Sequence, residues 1–93
     1  MDPLTNKQLR QKRAEAQRID ARVTVGKNGV TDATVAELER HLKQDKLVKV
    51  RLLPAATEGG EAAAEDEQAA RLAEATRSVL VDRRGHTAVF WRA

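Results

Sequence analysis

The sequence contains no cysteine and no tyrosine, and its aromatic residues are one phenylalanine and one tryptophan. Without cysteine, neither a disulfide framework nor a thiolate metal site or nucleophile can form. The scarcity of aromatic rings argues against a base-stacking platform such as an RRM. No apolar run approaches the roughly 18 residues that a membrane-spanning helix needs. Because the N-terminal residues also lack the pattern of a signal peptide, we expect a soluble cytoplasmic protein.

The sequence also lacks the signatures of common catalytic sites. It has no Gly-x-Ser-x-Gly elbow, and its Gly-rich segment lacks the Gly-Lys-Ser/Thr ending of a P-loop. The two histidines, His41 and His86, have neither a cysteine partner nor a zinc-binding spacing. The acidic cluster at residues 65–67 is expected to be solvated rather than metal-binding. We therefore predict no enzyme, no metal and no cofactor.

The chain carries many charges, and they are distributed unevenly. Its 93 residues are 33% charged and 41% hydrophobic, which predicts one globular domain over residues 1–93. Residues 1–51 carry a net charge of +5, residues 52–76 a net charge of −5, and residues 77–93 a net charge of +3. A basic body with an acidic, flexible insert at residues 55–67 fits a polyanion-binding surface. An unevenly charged, solvated surface explains the pattern equally well.

Capping residues and apolar periodicity predict three helices. Thr5 is followed three residues later by Gln8, which is a capping box, and the helix that it opens is expected to end near Ile19. The second helix, residues 31–45, begins at a threonine that can serve as N-cap. An alanine-rich stretch predicts a third helix at residues 62–77.

Runs of β-branched and alternating apolar residues predict four strands. In the second of them, Val48, Val50 and Leu52 are expected on one face and Lys49 and Arg51 on the other. The turn between the last two strands is expected at Asp82-Arg83-Arg84-Gly85. The order is α-β-α-β-α-β-β, which predicts an α/β domain with a four-stranded mixed sheet flanked by helices. The predicted strands cover residues 22–25, 47–53, 79–81 and 87–91.

The Gly26-Lys27-Asn28-Gly29 segment is the most informative part of the sequence, because it joins a strand directly to a helix N-terminus. Glycine permits a positive φ and lets a ligand approach the backbone closely. The N–H groups and the dipole at the start of the helix favour an anion, to which Lys27 adds a full charge. The alternative is an ordinary strand-to-helix turn, in which Asn28 only adopts a left-handed conformation.

Four segments, residues 4–8, 25–31, 47–50 and 85–92, resemble the CRM domain (chloroplast RNA splicing and ribosome maturation) in its stand-alone, YhbY-like form. The Gly-x-x-Gly loop with a following apolar residue and Thr31 looks like the family's loop. The resemblance implies a fold similar to the C-terminal domain of bacterial translation initiation factor three. It also implies that the protein binds RNA, and for stand-alone members ribosomal RNA in large-subunit precursors. The acidic insert departs from the family pattern.

Under this interpretation the loop and the basic side chains around it hold the phosphate backbone, and we expect a monomer. Trp91 is predicted either to stack on a base or to close the core. Arg83 and Arg84 are expected to form a basic cluster with Arg92 near His86. The candidate RNA-binding residues are Gly26, Lys27, Asn28, Gly29, Thr31, Lys7, Arg10, Arg13, Lys49, Arg51, Arg84 and Arg92.

Two other classes of function fit the sequence less well. Alba-like chromatin proteins share a similar alternating α/β layout and bind duplex DNA as dimers, and Arg83, Arg84 and Arg92 could take the place of their hairpin residues. The position of the Gly-x-x-Gly segment after the first strand favours the CRM interpretation. A structural adaptor that binds ribosomal proteins without contacting RNA is the third possibility.

Overall fold

The structure is a computed structural model that describes residues 4–26, 29–53 and 62–93. These residues form three helices, α1 (Asn6–Ala16), α2 (Asp32–Asp45) and α3 (Ala62–Thr76). They also form four strands, β1 (Ala21–Val25), β2 (Leu47–Leu52), β3 (Val79–Arg84) and β4 (Thr87–Trp91). The element order and the mixed sheet confirm the predicted α/β fold. In the described part of the chain, no helix is long and apolar enough to cross a membrane.

Strand β2 is central and is hydrogen-bonded on both sides. The strand order in the sheet is β1-β2-β4-β3. β2 runs parallel to β1 and antiparallel to β4, and β3 pairs with β4 as an antiparallel hairpin. A parallel pair needs a crossover connection, which α2 supplies, whereas a two-residue turn suffices for the hairpin.

Helices pack on both faces of the sheet. Alternating residues of β2 point to the main core, as predicted, and α2 and α3 pack on that face. Helix α1 packs on the opposite face over a smaller cluster of Ala16, Val81 and Val89. The main core consists of Val23, Val25, Leu38, Leu42, Val48, Val50, Leu52, Ala69, Leu72, Ala88 and Phe90.

Both predicted N-caps are present. The hydroxyl of Thr5 accepts from the backbone N–H of Gln8, and the Gln8 side chain accepts from the Thr5 backbone N–H, which completes the predicted capping box. Thr31 caps α2 in the same reciprocal way, with Thr34 as its partner. Helices α1 and α2 lie on either side of β1 in the sequence, and local hydrogen bonds fix the N-terminus of each.

Two predicted boundaries were wrong. Helix α1 ends at Ala16 rather than near Ile19, because the next N–H groups bond three residues back, which tightens the chain into a turn. The hairpin turn lies at Gly85 and His86, and residues 82–84 belong to β3. The helix predicted from residue 62 is confirmed, since α3 begins at Ala62. The rest of the predicted insert, residues 55–61, lies outside the described residues.

Two helices are each followed by a basic residue with a positive φ. Lys46 follows α2 with φ 64°, and Arg77 follows α3 with φ 53°. The backbone N–H of Lys46 donates to the carbonyl of Leu42, and its own carbonyl accepts from the N–H of Arg92. A side chain with a Cβ is strained in this conformation, whereas glycine is not. The residues at these two positions therefore lower the free energy of unfolding, and glycine at either position would raise it.

We expect Lys46→Gly to raise the free energy of unfolding by about 0.5–1 kcal/mol, because relief of the strained φ exceeds the added unfolded-state entropy. Urea denaturation of the two proteins measures the difference. Lys43→Gly is the matched control, because it lies within α2 and should lower stability by about 0.5–1 kcal/mol. A loss of stability in both variants would contradict the assignment of strain to Lys46.

Candidate nucleic-acid interface

The Gly-x-x-Gly segment forms a tight turn between β1 and α2. The backbone N–H of Gly29 donates to the carbonyl of Gly26 at 3.0 Å, which is the i to i+3 hydrogen bond of a β-turn. Gly29 has φ 70°, a conformation that favours glycine. Lys27 and Asn28, the predicted anion-binding residues at the tip, lie outside the described residues, and their roles stay a prediction.

The two glycines of this turn have different structural requirements. Gly29 needs its positive φ, and an added Cβ would lie 3.6 Å from Nε2 of Gln68 on α3. Gly26 has no positive φ, and an added Cβ would meet no atom within 4 Å apart from those of its two neighbours in the chain. Nothing in the described fold therefore requires glycine at position 26.

The start of α2 is also favourable for binding an anion. The first N–H groups of a helix lack intrahelical partners, and the dipole makes this end positive. The hydroxyl of Thr31 accepts from the Thr34 N–H at 3.3 Å, so the cap occupies that N–H group. The backbone N–H groups of Asp32 and Ala33 precede that of Thr34 in the first turn of the helix. Thr31, a predicted binding residue, therefore has a clear structural role as the N-cap.

Hydrogen bonds of β2 bring the Gly-x-x-Gly turn and the β3–β4 turn to the same edge of the sheet. The N–H of Leu53 donates to the carbonyl of Val25, one residue before the first turn, at 3.1 Å. The N–H of Leu52 donates to the carbonyl of His86, in the second turn, at 2.7 Å. Since neighbouring strands lie about 4.8 Å apart, the two turns are separated by about 10 Å.

A polar row crosses the sheet next to this edge, on the face where α1 packs. Its members lie opposite one another in the strand register, so their side chains project from the same face. Arg51 and Arg84 are both exposed, with Arg84 paired only loosely with Asp82 at 3.9 Å. We call this set the arginine row. It consists of Thr24, Arg51, Thr87 and Arg84.

The predicted basic residues of α1 remain at the surface. Lys7, Arg10 and Arg13 are all exposed. Nε of Arg13 donates to the carbonyl of Val81 at 2.9 Å, and this contact attaches α1 to β3. Lys49 is half-buried on the α1 side of the sheet, directly opposite Val89. The structure thus places these side chains on one side of the domain, and of the four only Arg13 has a clear packing role.

Two of the three hairpin arginines are used within the domain. Nη1 of Arg92 donates to the carbonyl of Thr76 at 2.8 Å and lies 3.3 Å from a carboxylate oxygen of Glu39. Arg83 pairs with the carboxylates of Glu65 and Asp66 on α3. The predicted basic cluster of Arg83, Arg84 and Arg92 is therefore not a single surface. Only Arg84, whose side chain is 73% exposed, is widely accessible.

A buried carboxylate holds the β3–β4 hairpin against α3. Glu65 is 1% exposed, and its Oε1 lies 2.8 Å from Nδ1 of His86 while Oε2 lies 3.4 Å from Nη1 of Arg83. Nη1 of Arg83 also donates to the carbonyl of Gly85 at 2.7 Å. The expectation that Glu65 is solvated was wrong. Its neighbours in sequence give no signal of burial, because its partners lie about 20 residues away in the hairpin.

The two aromatic residues pack on opposite faces of the sheet. Phe90 is fully buried in the main core. Trp91 is half-buried against the smaller cluster beneath α1, and the ammonium group of Lys12 lies 5.7 Å from the centre of its ring. This arrangement favours the prediction that Trp91 closes the core over the prediction that it stacks on a base.

These features define a small α/β domain with a Gly-x-x-Gly turn at a helix N-terminus and basic side chains nearby. The sequence pattern of the CRS1 / YhbY (CRM) domain matches residues 4–92, so the chain belongs to this family. The solution structure of a hypothetical protein from Staphylococcus aureus, described there as a candidate RNA-binding protein, has a TM-score of 0.83. The two sequences are 33% identical, over 98% of this chain and 90% of that chain. A search of curated proteins found no significant match.

We expect Glu65→Ala to lower the free energy of unfolding by about 2–4 kcal/mol, because the guanidinium of Arg83 loses a buried partner. Urea denaturation measures this loss. Glu67→Ala is the control, because Glu67 is exposed on the same helix and its removal should change stability by less than about 0.5 kcal/mol. Equal, small effects of both variants would show that the buried carboxylate does not hold the hairpin.

Proposed function

We propose that this protein is a non-catalytic RNA-binding module that holds the phosphate backbone at the Gly-x-x-Gly turn and the adjacent basic side chains. The observation that carries the proposal is the position of three features at one edge of the sheet. These are the turn from Gly26 to Gly29, the start of α2, and the arginine row. Membership of the CRM family and the description of the Staphylococcus aureus protein support RNA as the ligand.

Capture of a phosphate by backbone groups is the proposed mechanism. An unobstructed Gly26 lets a phosphate oxygen come within hydrogen-bonding distance of the turn, and the α2 dipole favours its negative charge. Lys27 would add an ammonium group and Asn28 an amide donor. Contacts of this kind position the RNA but do not distinguish one sequence from another.

The turn alone is a weak anion site, because Asp32 places a carboxylate in the first turn of α2. Additional positive charge has to offset this repulsion. Arg51 and Arg84 supply it on the α1 side of the sheet, where Lys49 also lies, and Lys7 and Arg10 of α1 are further exposed cations. Each cation that contacts a phosphate releases counterions, so affinity should fall steeply with salt.

We further propose that the RNA is ribosomal RNA in large-subunit precursors and that the protein binds it as a cytoplasmic monomer. It rests on the resemblance to stand-alone CRM proteins, because a phosphate-binding surface does not identify its RNA. Structured RNA is recognised mainly by shape and backbone position, which suits a surface of this kind.

We expect the double variant Lys27→Asp/Asn28→Asp to bind structured ribosomal RNA at least about tenfold more weakly than the wild type, because it places two carboxylates where phosphate should lie. Gly26→Ala should weaken binding more modestly, because its methyl group fits the fold but obstructs the approach to the turn. Fluorescence anisotropy titrations measure both effects.

The matched control is Lys43→Asp/Gln44→Asp, which makes the same change in charge at the opposite end of α2. These residues are exposed and lie about 17 Å from the start of the helix. The control should retain most of the affinity. Similar losses in both double variants would indicate a general charge effect, and full retention of affinity in the loop variant would refute the mechanism.

We also expect the protein to prefer structured ribosomal RNA to duplex DNA of equal charge. A competition titration over a range of salt concentrations tests this, with a logarithmic slope that reports the number of phosphate contacts. Stronger binding to DNA would favour the Alba-like alternative. Binding to neither nucleic acid at low salt would favour the structural adaptor.

A further inference from the structure

A shallow and widely open surface groove lies beside the Gly-x-x-Gly turn, on the side of the sheet where α2 and α3 pack. It has a volume of about 340 Å³ and is lined by Val30, Arg71, Glu74 and Ala75. Val30 immediately follows the turn and is packed against the main core, which fixes one wall. The other wall is the exposed face of α3. A phosphate on the turn would therefore lie next to the mouth of this groove.

The lining of the groove combines two apolar side chains, Val30 and Ala75, with one acid and one base. Arg71 and Glu74 are exposed, and neither forms an ion pair with another residue in the part of the chain that the structure describes. A carboxylate beside a phosphate-binding surface opposes the binding of a polyanion. Hydrogen bonds from RNA donors to this carboxylate would offset the repulsion.

Guanine offers groups that match both charged side chains. Its N1–H and N2–H₂ donors lie side by side and suit the two oxygens of a carboxylate, while O6 and N7 accept from a guanidinium. Uracil and cytosine lack this combination, and adenine lacks the paired donors. The apolar side chains of Val30 and Ala75 suit the faces of a planar ring.

We infer that this groove binds one unpaired guanine of the RNA whose backbone lies on the Gly-x-x-Gly turn, with Glu74 accepting from its Watson–Crick edge and Arg71 donating to O6 or N7. The inference rests on the proposed function, and it adds a base-specific contact to an otherwise sequence-independent surface. A base enters such a groove only when it is unstacked, so the guanine belongs to a loop, bulge or end.

Fluorescence anisotropy with RNA hairpins that share one stem and differ in one base of an otherwise all-uridine loop tests the inference. The wild type should bind the guanine hairpin at least about fivefold more tightly than the all-uridine hairpin, the discrimination expected of a bidentate contact. Inosine, which lacks the N2 amino group, should lose most of this preference. Glu74→Gln and Arg71→Gln should each reduce it, with unchanged thermal unfolding because both residues are exposed.

The sign of the Glu74→Gln effect separates base recognition from electrostatics. Loss of a carboxylate without base contacts should tighten the binding of every hairpin, as in the control Glu15→Gln on α1, whose side chain is 57% exposed. Weaker binding of the guanine hairpin alone supports the inference. Equal binding of all hairpins by the wild type overturns it while leaving the proposed function intact. Binding of no RNA, including structured ribosomal RNA, overturns both.

Discussion

The two-sided pairing of β2 is the constraint on which the candidate site depends. Because β2 is parallel to β1, both strands end at the same edge of the sheet, and its antiparallel pairing with β4 brings the hairpin turn to that edge. A slip of one residue in β2 would turn Arg51 toward the main core and Val50 away from it. The burial of apolar residues in β2 therefore determines where the arginine row lies.

A second constraint, the buried carboxylate of Glu65, determines which arginines are available at the surface. Burial of this charge requires partners, and Arg83 and His86 provide them. Arg84, the next residue along β3, points to the opposite face of the sheet and stays exposed. Alternation along one strand thus gives neighbouring arginines different roles: Arg83 attaches the hairpin to α3, and Arg84 contributes to the basic surface.

The features that could be predicted from sequence are those with local causes. Capping by Thr5 and Thr31 and the alternation in β2 depend on residues a few positions apart, and all three were confirmed. The role of Glu65 depends on contacts between distant segments. Within an Ala- and Glu-rich stretch, the sequence does not distinguish a buried acid from a solvated one. The internal hydrogen bonds of Arg92 could not be predicted for the same reason, because its partners are on α2 and at the end of α3.

The Gly-x-x-Gly turn lies at the edge of the sheet, between the two halves of the proposed interface. The arginine row lies on the α1 side of this rim, and the groove between Val30 and α3 lies on the other. A nucleotide whose phosphate rests on the turn can therefore direct its backbone along the basic side and its base toward the groove. Phosphate contacts dominate affinity but carry no sequence information, whereas contacts to a base edge specify sequence. Under the proposed function, separation of the two sides would let Glu74 recognise a base without facing the arginine row, where its carboxylate would neutralise the charges proposed to hold the RNA backbone.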